Sequence, residues 1–109
     1  MTERDRDLIL ELKERLPTEV VARIKRVIAF GSRIRGQEHE ASDLDLLILV
    51  DQKSPELERK IDDVAYKVMW DHDFRPMISI KVFTDAHYQK FLREGFSFYR
   101  NIEREGVSL

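Results

Sequence analysis

Cysteine is missing from the 109-residue sequence, which excludes disulfide bonds and zinc sites built from thiolates. Long apolar runs are missing as well, since none approaches the roughly 18 residues that a membrane span requires. The first seven residues are too highly charged for a secretory signal peptide. These absences predict a cytoplasmic protein with no membrane partner.

A strong excess of charge is also missing. The formal net charge is -2, the pI is near 5.9, and basic residues are interspersed with acidic ones. This balance argues against a free-standing binder of tRNA or DNA but is compatible with a local phosphate site. The length, with 42% hydrophobic and 37% charged residues, is typical of one globular domain, which we place at residues 1–109.

The polar residues most typical of a functional site lie within residues 27–50. An apolar run ends at Phe30 and is followed by Gly31-Ser32-Arg33-Ile34-Arg35-Gly36. A polar loop then leads to Asp43-Leu44-Asp45 and a second apolar run. Because both apolar runs predict strands, the polar residues are expected at strand ends, where open α/β sheets bind their ligands.

Asp43 and Asp45 form a candidate metal site. Residues two apart on a strand point to the same face, and adjacent carboxylates repel each other unless a cation lies between them. Oxygen ligands at this spacing suit Mg²⁺, which binds one or two carboxylates and completes its coordination with water and substrate phosphates. The pair therefore predicts a Mg²⁺ site that serves ATP or another nucleoside triphosphate. A solvated turn is the structural alternative.

The Gly31-Ser32 turn is a candidate phosphate site. Glycine lets the backbone approach an anion closely, and a short helix that begins at Ser32 would direct N–H groups and a hydroxyl at phosphate oxygens. Arg33 and Arg35 add positive charge. Gly31, Ser32, Arg33 and Arg35 are thus the predicted nucleotide-binding residues, expected on a strand end next to the carboxylate pair.

Gly31-Ser32, ten intervening residues and Asp43-Leu44-Asp45 resemble the signature of the polymerase-beta-like nucleotidyltransferase superfamily. The short chain is similar to the minimal (MNT) branch, and its segment 101–107 is similar to the ends of small stand-alone members. The resemblance implies an α/β fold, a small mixed β-sheet with helices packed on it. It also implies Mg²⁺-dependent catalysis in which Asp43 and Asp45 hold the metal.

Apolar spacing and capping residues predict the individual elements. The predicted helices begin at Thr2, Ser54 and Thr84, and the predicted strands cover residues 26–30, 46–50 and 77–84. The strand at 46–50 is apolar at every position, as expected for a central strand buried on both faces. Residues 18–24 fit either a short helix or a direct lead into the first strand.

The strand at 77–84 lacks an acid that the resemblance implies. Active superfamily members usually carry a third aspartate there, facing the Asp-x-Asp pair, where it helps hold the metal and takes the proton from the attacking hydroxyl. Ser79 and Lys81 occupy the polar face in this sequence. The departure puts catalytic activity in doubt and keeps two function hypotheses open.

The first hypothesis is transfer of a nucleoside monophosphate, AMP from ATP, to a hydroxyl on a partner protein. The resemblance implies that this partner is a HEPN-type toxin in a toxin–antitoxin pair. The second hypothesis is a module with the same fold that neutralises or recruits a partner by binding alone. Nucleotide addition to tRNA is a third option, which the charge balance disfavours.

The remaining chemistry-bearing residues are interpreted as structural or surface residues. They are His39, Asp71-His72-Asp73 and His87. Half of the chain's ten aromatic residues lie between Tyr88 and Tyr99. Most are expected in the core, with an interface to a partner or a homo-oligomer as the alternative.

Overall fold

The computed structural model describes residues 1–36 and 42–109 of the chain. Within these residues the helices are α1 (Glu3–Arg15), α2 (Thr18–Val21), α3 (Pro55–Asp71), α4 (Asp85–Arg93) and α5 (Ser97–Glu105). The strands are β1 (Ile24–Phe30), β2 (Leu44–Val50), β3 (Ile78–Thr84) and β4 (Val107–Ser108). No helix in this part of the chain is both long and apolar enough to cross a membrane.

The four strands form one mixed sheet in the order β3-β2-β1-β4. β1 runs antiparallel to both β2 and β4, whereas β2 and β3 are parallel and are connected through α3. A parallel pair needs such a long crossover, which a helix usually supplies. The predicted α/β fold and the central position of β2 are confirmed.

Local side-chain chemistry explains where the helices begin. The hydroxyl of Thr2 accepts a hydrogen bond from the Asp5 N–H at 3.1 Å, and the Asp5 carboxylate accepts one from the Thr2 N–H at 3.4 Å. This reciprocal pair is a capping box. Ser54 and Thr84 cap α3 and α4 in a similar way, each through its hydroxyl. All three predicted helix starts are confirmed.

The sheet is covered on both faces. α1, α2 and α3 pack on one face over a large apolar core that includes Ala29, Leu46 and Ile48. α4 and α5 pack on the other face over a smaller cluster of five buried residues, Ile28, Leu47, Leu49, Tyr88 and Ile102. β2 therefore contributes alternate side chains to both clusters, which explains its continuous apolar run.

The C-terminal segment differs from the sequence-based expectation. Residues 97–105 form α5, and the two residues of β4 pair with Ile28 and Ala29 of β1. Neither element was predicted. For β4 the reason is its length, since a two-residue strand has no measurable periodicity. At residues 18–24 the structure decides between the open alternatives: α2 forms first, and β1 starts at Ile24.

A buried ion pair joins α1 to the turn that follows β1. Nε and Nη2 of Arg33 each donate to the Asp5 carboxylate at 3.1 Å, and the Asp5 side chain is 0% exposed. The same guanidinium donates to the carbonyl oxygen and the hydroxyl of Ser42, at 3.0 and 3.1 Å. One side chain thus connects the start of α1, the Gly-Ser turn and the residue that precedes Asp43.

We expect Arg33→Ala to lower the free energy of unfolding by about 3–5 kcal/mol, because it leaves the buried Asp5 carboxylate without its cation. Arg59→Ala, on an exposed side chain of α3, is the control and should change it by less than about 0.5 kcal/mol. Urea denaturation followed by circular dichroism measures both. Equal stabilities of the two variants would contradict a structural role for the Arg33–Asp5 pair.

Candidate active site

The predicted carboxylates lie at one end of the central strand. Asp45 is the register partner of Phe30 in β1 and of Ser79 in β3, so these three residues form a row across the sheet. Asp43 is exposed and directly precedes β2, where the N–H of Leu44 donates to the carbonyl of Met77 at 2.8 Å. Strand pairing on both sides of β2 therefore fixes where the Asp-x-Asp pair projects.

The Gly-Ser turn and the carboxylate pair are in direct contact. Gly31 has a φ of +88°, a backbone conformation that side-chain-bearing residues rarely adopt. A Cβ atom at this position would collide with Oδ2 of Asp45. Glycine is thus required here both by the backbone angle and by the close approach of the Asp45 carboxylate. The structure brings Gly31 of the predicted phosphate site against Asp45 of the predicted metal site.

The surroundings of the Asp45 carboxyl group disfavour its ionised form. Burial raises the pKa of its carboxyl group, and the nearby Asp43 carboxylate raises that pKa further. The positive charges of Lys81 and Arg35 act in the opposite direction. A cation bound between the two carboxylates would favour the ionised form of both.

The two carboxylates fit a Mg²⁺ ion that is shared with a ligand. No group of three or more His, Cys, Asp or Glu side chains with metal-binding geometry occurs among residues 1–36 and 42–109. Mg²⁺ does not need one, because it is commonly held by one or two carboxylates together with water and substrate phosphates. Asp43 and Asp45 would hold such an ion only jointly with a phosphate ligand.

The turn after Gly31 is not the helix that the sequence predicted. The N–H groups of Ile34 and Arg35 both donate to the Gly31 carbonyl, at 3.1 and 3.2 Å, and residues 32–36 form turns. Gly31 and Gly36, both at positive φ, bound this short segment and leave no room for a helix. Residues 32–36 therefore provide no helix dipole for phosphate binding at Ser32.

The two arginines of the turn have different surroundings. The Arg33 guanidinium contacts Asp5 and Ser42, and its side chain is only 12% exposed. Arg35 is exposed and lines a cavity next to Gly31. Nucleotide binding by either residue stays a prediction, and the geometry favours Arg35 as the side chain that can reach a phosphate.

Residues 6–105 match the family model described as "Nucleotidyltransferase domain". The chain belongs to this nucleotidyltransferase domain family. A protein of Methanocaldococcus jannaschii described as "Putative protein adenylyltransferase" is 34% identical over 107 residues, which cover 94% of this chain and 96% of that protein. The sequence-based assignment to the minimal branch fits both findings.

The fold of this nucleotidyltransferase domain is also found among solved structures. A chain from a crystal structure described as "the toxin-antitoxin with AMP-PNP" matches with a TM-score of 0.57 and 18% sequence identity. The match covers 95% of this chain and 70% of that chain. At this identity the similarity shows a shared fold.

The third strand of the nucleotidyltransferase domain carries a cation near the carboxylate pair. Ser79 lies beside Asp45, and Lys81 follows two residues later on the same face of β3, paired with Leu47. The Lys81 side chain is exposed. β3 contains no acidic residue, so the polar face opposite the Asp-x-Asp pair presents a hydroxyl and an ammonium group.

The other candidate residues make contacts that suit a structural role. Asp71 pairs with Arg15 at 2.8 Å, and Nε2 of His72 lies 3.0 Å from Glu11, so both connect α3 to α1. His87 lies 2.9 Å from the Tyr99 hydroxyl. His39 lies outside the described residues.

Sequence reasoning missed a cavity beside the site. A volume of about 240 Å³ lies between the turn after β1 and α5, lined by Phe30, Gly31, Ile34, Arg35, Phe98, Asn101, Ile102 and Glu105. Half of the lining comes from α5. The spacing of Phe98 and Ile102, four residues apart, indicates one face of a helix, but only the folded chain places that face next to Gly31.

We expect Gly31→Ala to disrupt the site, because the new Cβ displaces the Asp45 carboxylate. Gly36→Ala is the matched control, since Gly36 has a φ of +74° and, apart from Gly36 and its chain neighbours, no atom of residues 1–36 and 42–109 lies within 4 Å of a Cβ added there. Both variants should lose about 1–2 kcal/mol of stability from the left-handed backbone. Only Gly31→Ala should weaken Mn²⁺-induced broadening of the Asp43 and Asp45 amide resonances in NMR spectra. Equal broadening in both variants would show that the contact is dispensable.

Proposed function

We propose that the protein transfers a nucleoside monophosphate, AMP from ATP, to a hydroxyl group on a partner protein. The observation that carries the proposal is the contact between Gly31 and Asp45, which brings the predicted phosphate-binding turn against the carboxylate pair. Membership of the nucleotidyltransferase domain family supports transfer of a nucleoside monophosphate in general terms. The nucleotide, the metal and the acceptor are inferred.

In the proposed reaction the acceptor oxygen forms a bond to the α-phosphorus of ATP, and the bond from that phosphorus to the β-phosphate oxygen breaks. Pyrophosphate leaves with the electron pair. Gly31 and Ser32 bind the β- and γ-phosphates, and Arg35 offsets their charge. Asp43 and Asp45 would hold Mg²⁺, which when bound polarises the phosphate oxygens and neutralises charge on the leaving group.

β3 has no carboxylate that could accept the proton of the acceptor hydroxyl group. Ser79 and Lys81 occupy the face where a third aspartate would act. A group on the acceptor or on the nucleotide therefore takes the proton in this proposal. An ammonium group 4–6 Å from Mg²⁺ would oppose metal binding by roughly 1 kcal/mol or more, depending on screening. Because the Lys81 side chain is exposed, it can turn towards solvent and reduce this repulsion.

A protein acceptor is the best-supported choice. The relative from Methanocaldococcus jannaschii is described as a protein adenylyltransferase and matches along nearly its whole length. The structural neighbour is described as a toxin–antitoxin with AMP-PNP. These descriptions support a protein acceptor and a toxin–antitoxin setting. The resemblance to the minimal branch adds that the acceptor is a tyrosine hydroxyl of a HEPN-type toxin.

Calorimetry with ATP tests the nucleotide and metal parts of the proposal. ATP binding should require Mg²⁺, and Asp43→Asn should weaken it by at least tenfold, because even outer-shell partners of metal ligands are worth about 10- to 100-fold. Asp63→Asn, which removes an exposed carboxylate from α3, is the matched control and should bind like wild type. If Asp43→Asn binds ATP as strongly as wild type, with or without the metal, the carboxylate pair is not part of the ATP site.

A second candidate function is neutralisation or recruitment of a partner by contact alone. The absence of an acid from β3 favours it. Transfer of radiolabelled AMP to the partner separates the two functions. If the site is active but weakened, Ser79→Asp or Lys81→Asp should raise the transfer rate, since general-base help is typically worth about 10² to 10⁴.

Two other outcomes are informative. A fast wild-type reaction that both substitutions slow would mean that catalysis uses another proton acceptor. If no variant transfers AMP while Asp43→Asn still binds the partner, the contact-only function is correct.

A further inference from the structure

We propose that the cavity between the turn after β1 and α5 binds the adenine base of the nucleotide. This inference rests on the proposed function, because it assumes that the triphosphate lies at Gly31, Ser32 and the carboxylate pair. It adds the part of the site that recognises the base of the nucleotide rather than its phosphates.

The cavity is continuous with the candidate active site. Gly31 lines it, and the Asp45 carboxylate lies against Gly31. Phe30, which forms another part of the wall, is the register partner of Asp45. Arg35 also lines the cavity and contributes positive charge near Asp45. A nucleotide with its phosphates at the turn can therefore extend its base directly into this space.

The cavity walls suit a flat aromatic ring. The rings of Phe30 and Phe98 lie 5.9 Å apart in an edge-to-face arrangement, and Ile34 and Ile102 supply aliphatic surface. Aromatic side chains stack on nucleobases of any kind, which provides affinity for a base. The volume of about 240 Å³ lies below the range of about 300–1,000 Å³ typical of drug-sized ligands. It is suited to a single base.

The polar rim of the cavity offers hydrogen bonds to a purine base. Asn101 and Glu105 line this edge, and Nη2 of Arg104 lies 2.9 Å from the Asn101 amide oxygen and 3.4 Å from Oε1 of Glu105. With its oxygen contacting Arg104, the Asn101 amide has its NH₂ group available for acceptors such as a purine ring nitrogen. The Glu105 carboxylate accepts from an exocyclic amino group, such as N6 of adenine or N2 of guanine.

The wall supplied by α5 is held in place before any ligand binds. Ile102 is 3% exposed and belongs to the second apolar cluster. Glu103 pairs with Arg26 of β1 at 2.9 Å, and β4 directly follows the helix. A preformed wall reduces the ordering cost of binding, which favours recognition of a small rigid group.

Calorimetry in the presence of Mg²⁺, with ATP, GTP and inorganic tripolyphosphate as ligands, tests this assignment. Wild type should bind ATP and GTP more tightly than tripolyphosphate, because only the nucleotides carry a base that can stack in the cavity. Asn101→Trp, which fills the cavity from an exposed position, should weaken ATP binding by about tenfold or more, the range expected for loss of one stacked base. It should leave tripolyphosphate binding unchanged, because the phosphate turn is untouched.

Val21→Trp is the matched control. Val21 is exposed and lines a separate cavity of about 210 Å³ with Leu16 and Ile24, so the added ring has similar space but no contact with the site. This variant should bind all three ligands like wild type. If Asn101→Trp does not fold, Phe98→Leu serves in its place, since it keeps apolar volume and removes the stacking ring.

The outcomes separate this inference from the proposed function. Unchanged ATP affinity in folded Asn101→Trp, or in Phe98→Leu where that variant replaces it, would place the base elsewhere and leave the phosphate site intact. Equal affinities of wild type for ATP and tripolyphosphate would show that the base adds no affinity and would overturn the assignment of the cavity. Failure of wild type to bind both ATP and tripolyphosphate would overturn the two proposals together.

Discussion

The arrangement of the site depends on the ion pair between Arg33 and Asp5. Asp5 is fully buried, and each of its carboxylate oxygens accepts from the Arg33 guanidinium. The same guanidinium reaches Ser42, one residue before Asp43. The interaction therefore connects the turn after β1 to the entry of β2. A buried charge pair of this kind is weak evidence for net stability, because desolvation offsets the attraction between the charges.

A second constraint acts on Asp45. Its carboxylate is partly buried, lies near Asp43 and occupies the space where a side chain on Gly31 would be. The folded chain thus holds the Asp45 carboxylate in a position that is unfavourable for its negative charge. Such an arrangement is typical of a functional site, where groups are held for a ligand rather than for stability. Lys81 and Arg35 only partly compensate for the repulsion.

The C-terminal segment connects the site to the far edge of the sheet. β4 pairs with β1, and α5 packs over the second face, where Ile102 is buried and Phe98 contacts Phe30. This helix turns an open strand end into a cavity with an aromatic wall. Phe98 also contacts Phe83 and Tyr99, so part of the aromatic group near the C-terminus packs within the domain. Phe96 and Phe98 remain 52% and 39% exposed.

The sequence by itself determined the fold class, the central strand, the helix starts at Thr2, Ser54 and Thr84, and the pairing of a Gly-Ser turn with Asp43 and Asp45. These features follow from local causes, namely capping hydroxyls, apolar periodicity and a motif with fixed spacing. Only the tertiary structure decided the different surroundings of Arg33 and Arg35, the turn in place of a helix at Ser32, and the position of α5. Two of these depend on a partner distant in sequence, Asp5 for Arg33 and β1 for the C-terminal segment, whereas the turn at Ser32 follows from the positive φ of Gly31 and Gly36. Spacing along the chain carries no information about such contacts, because they form only when the sheet brings its strands together.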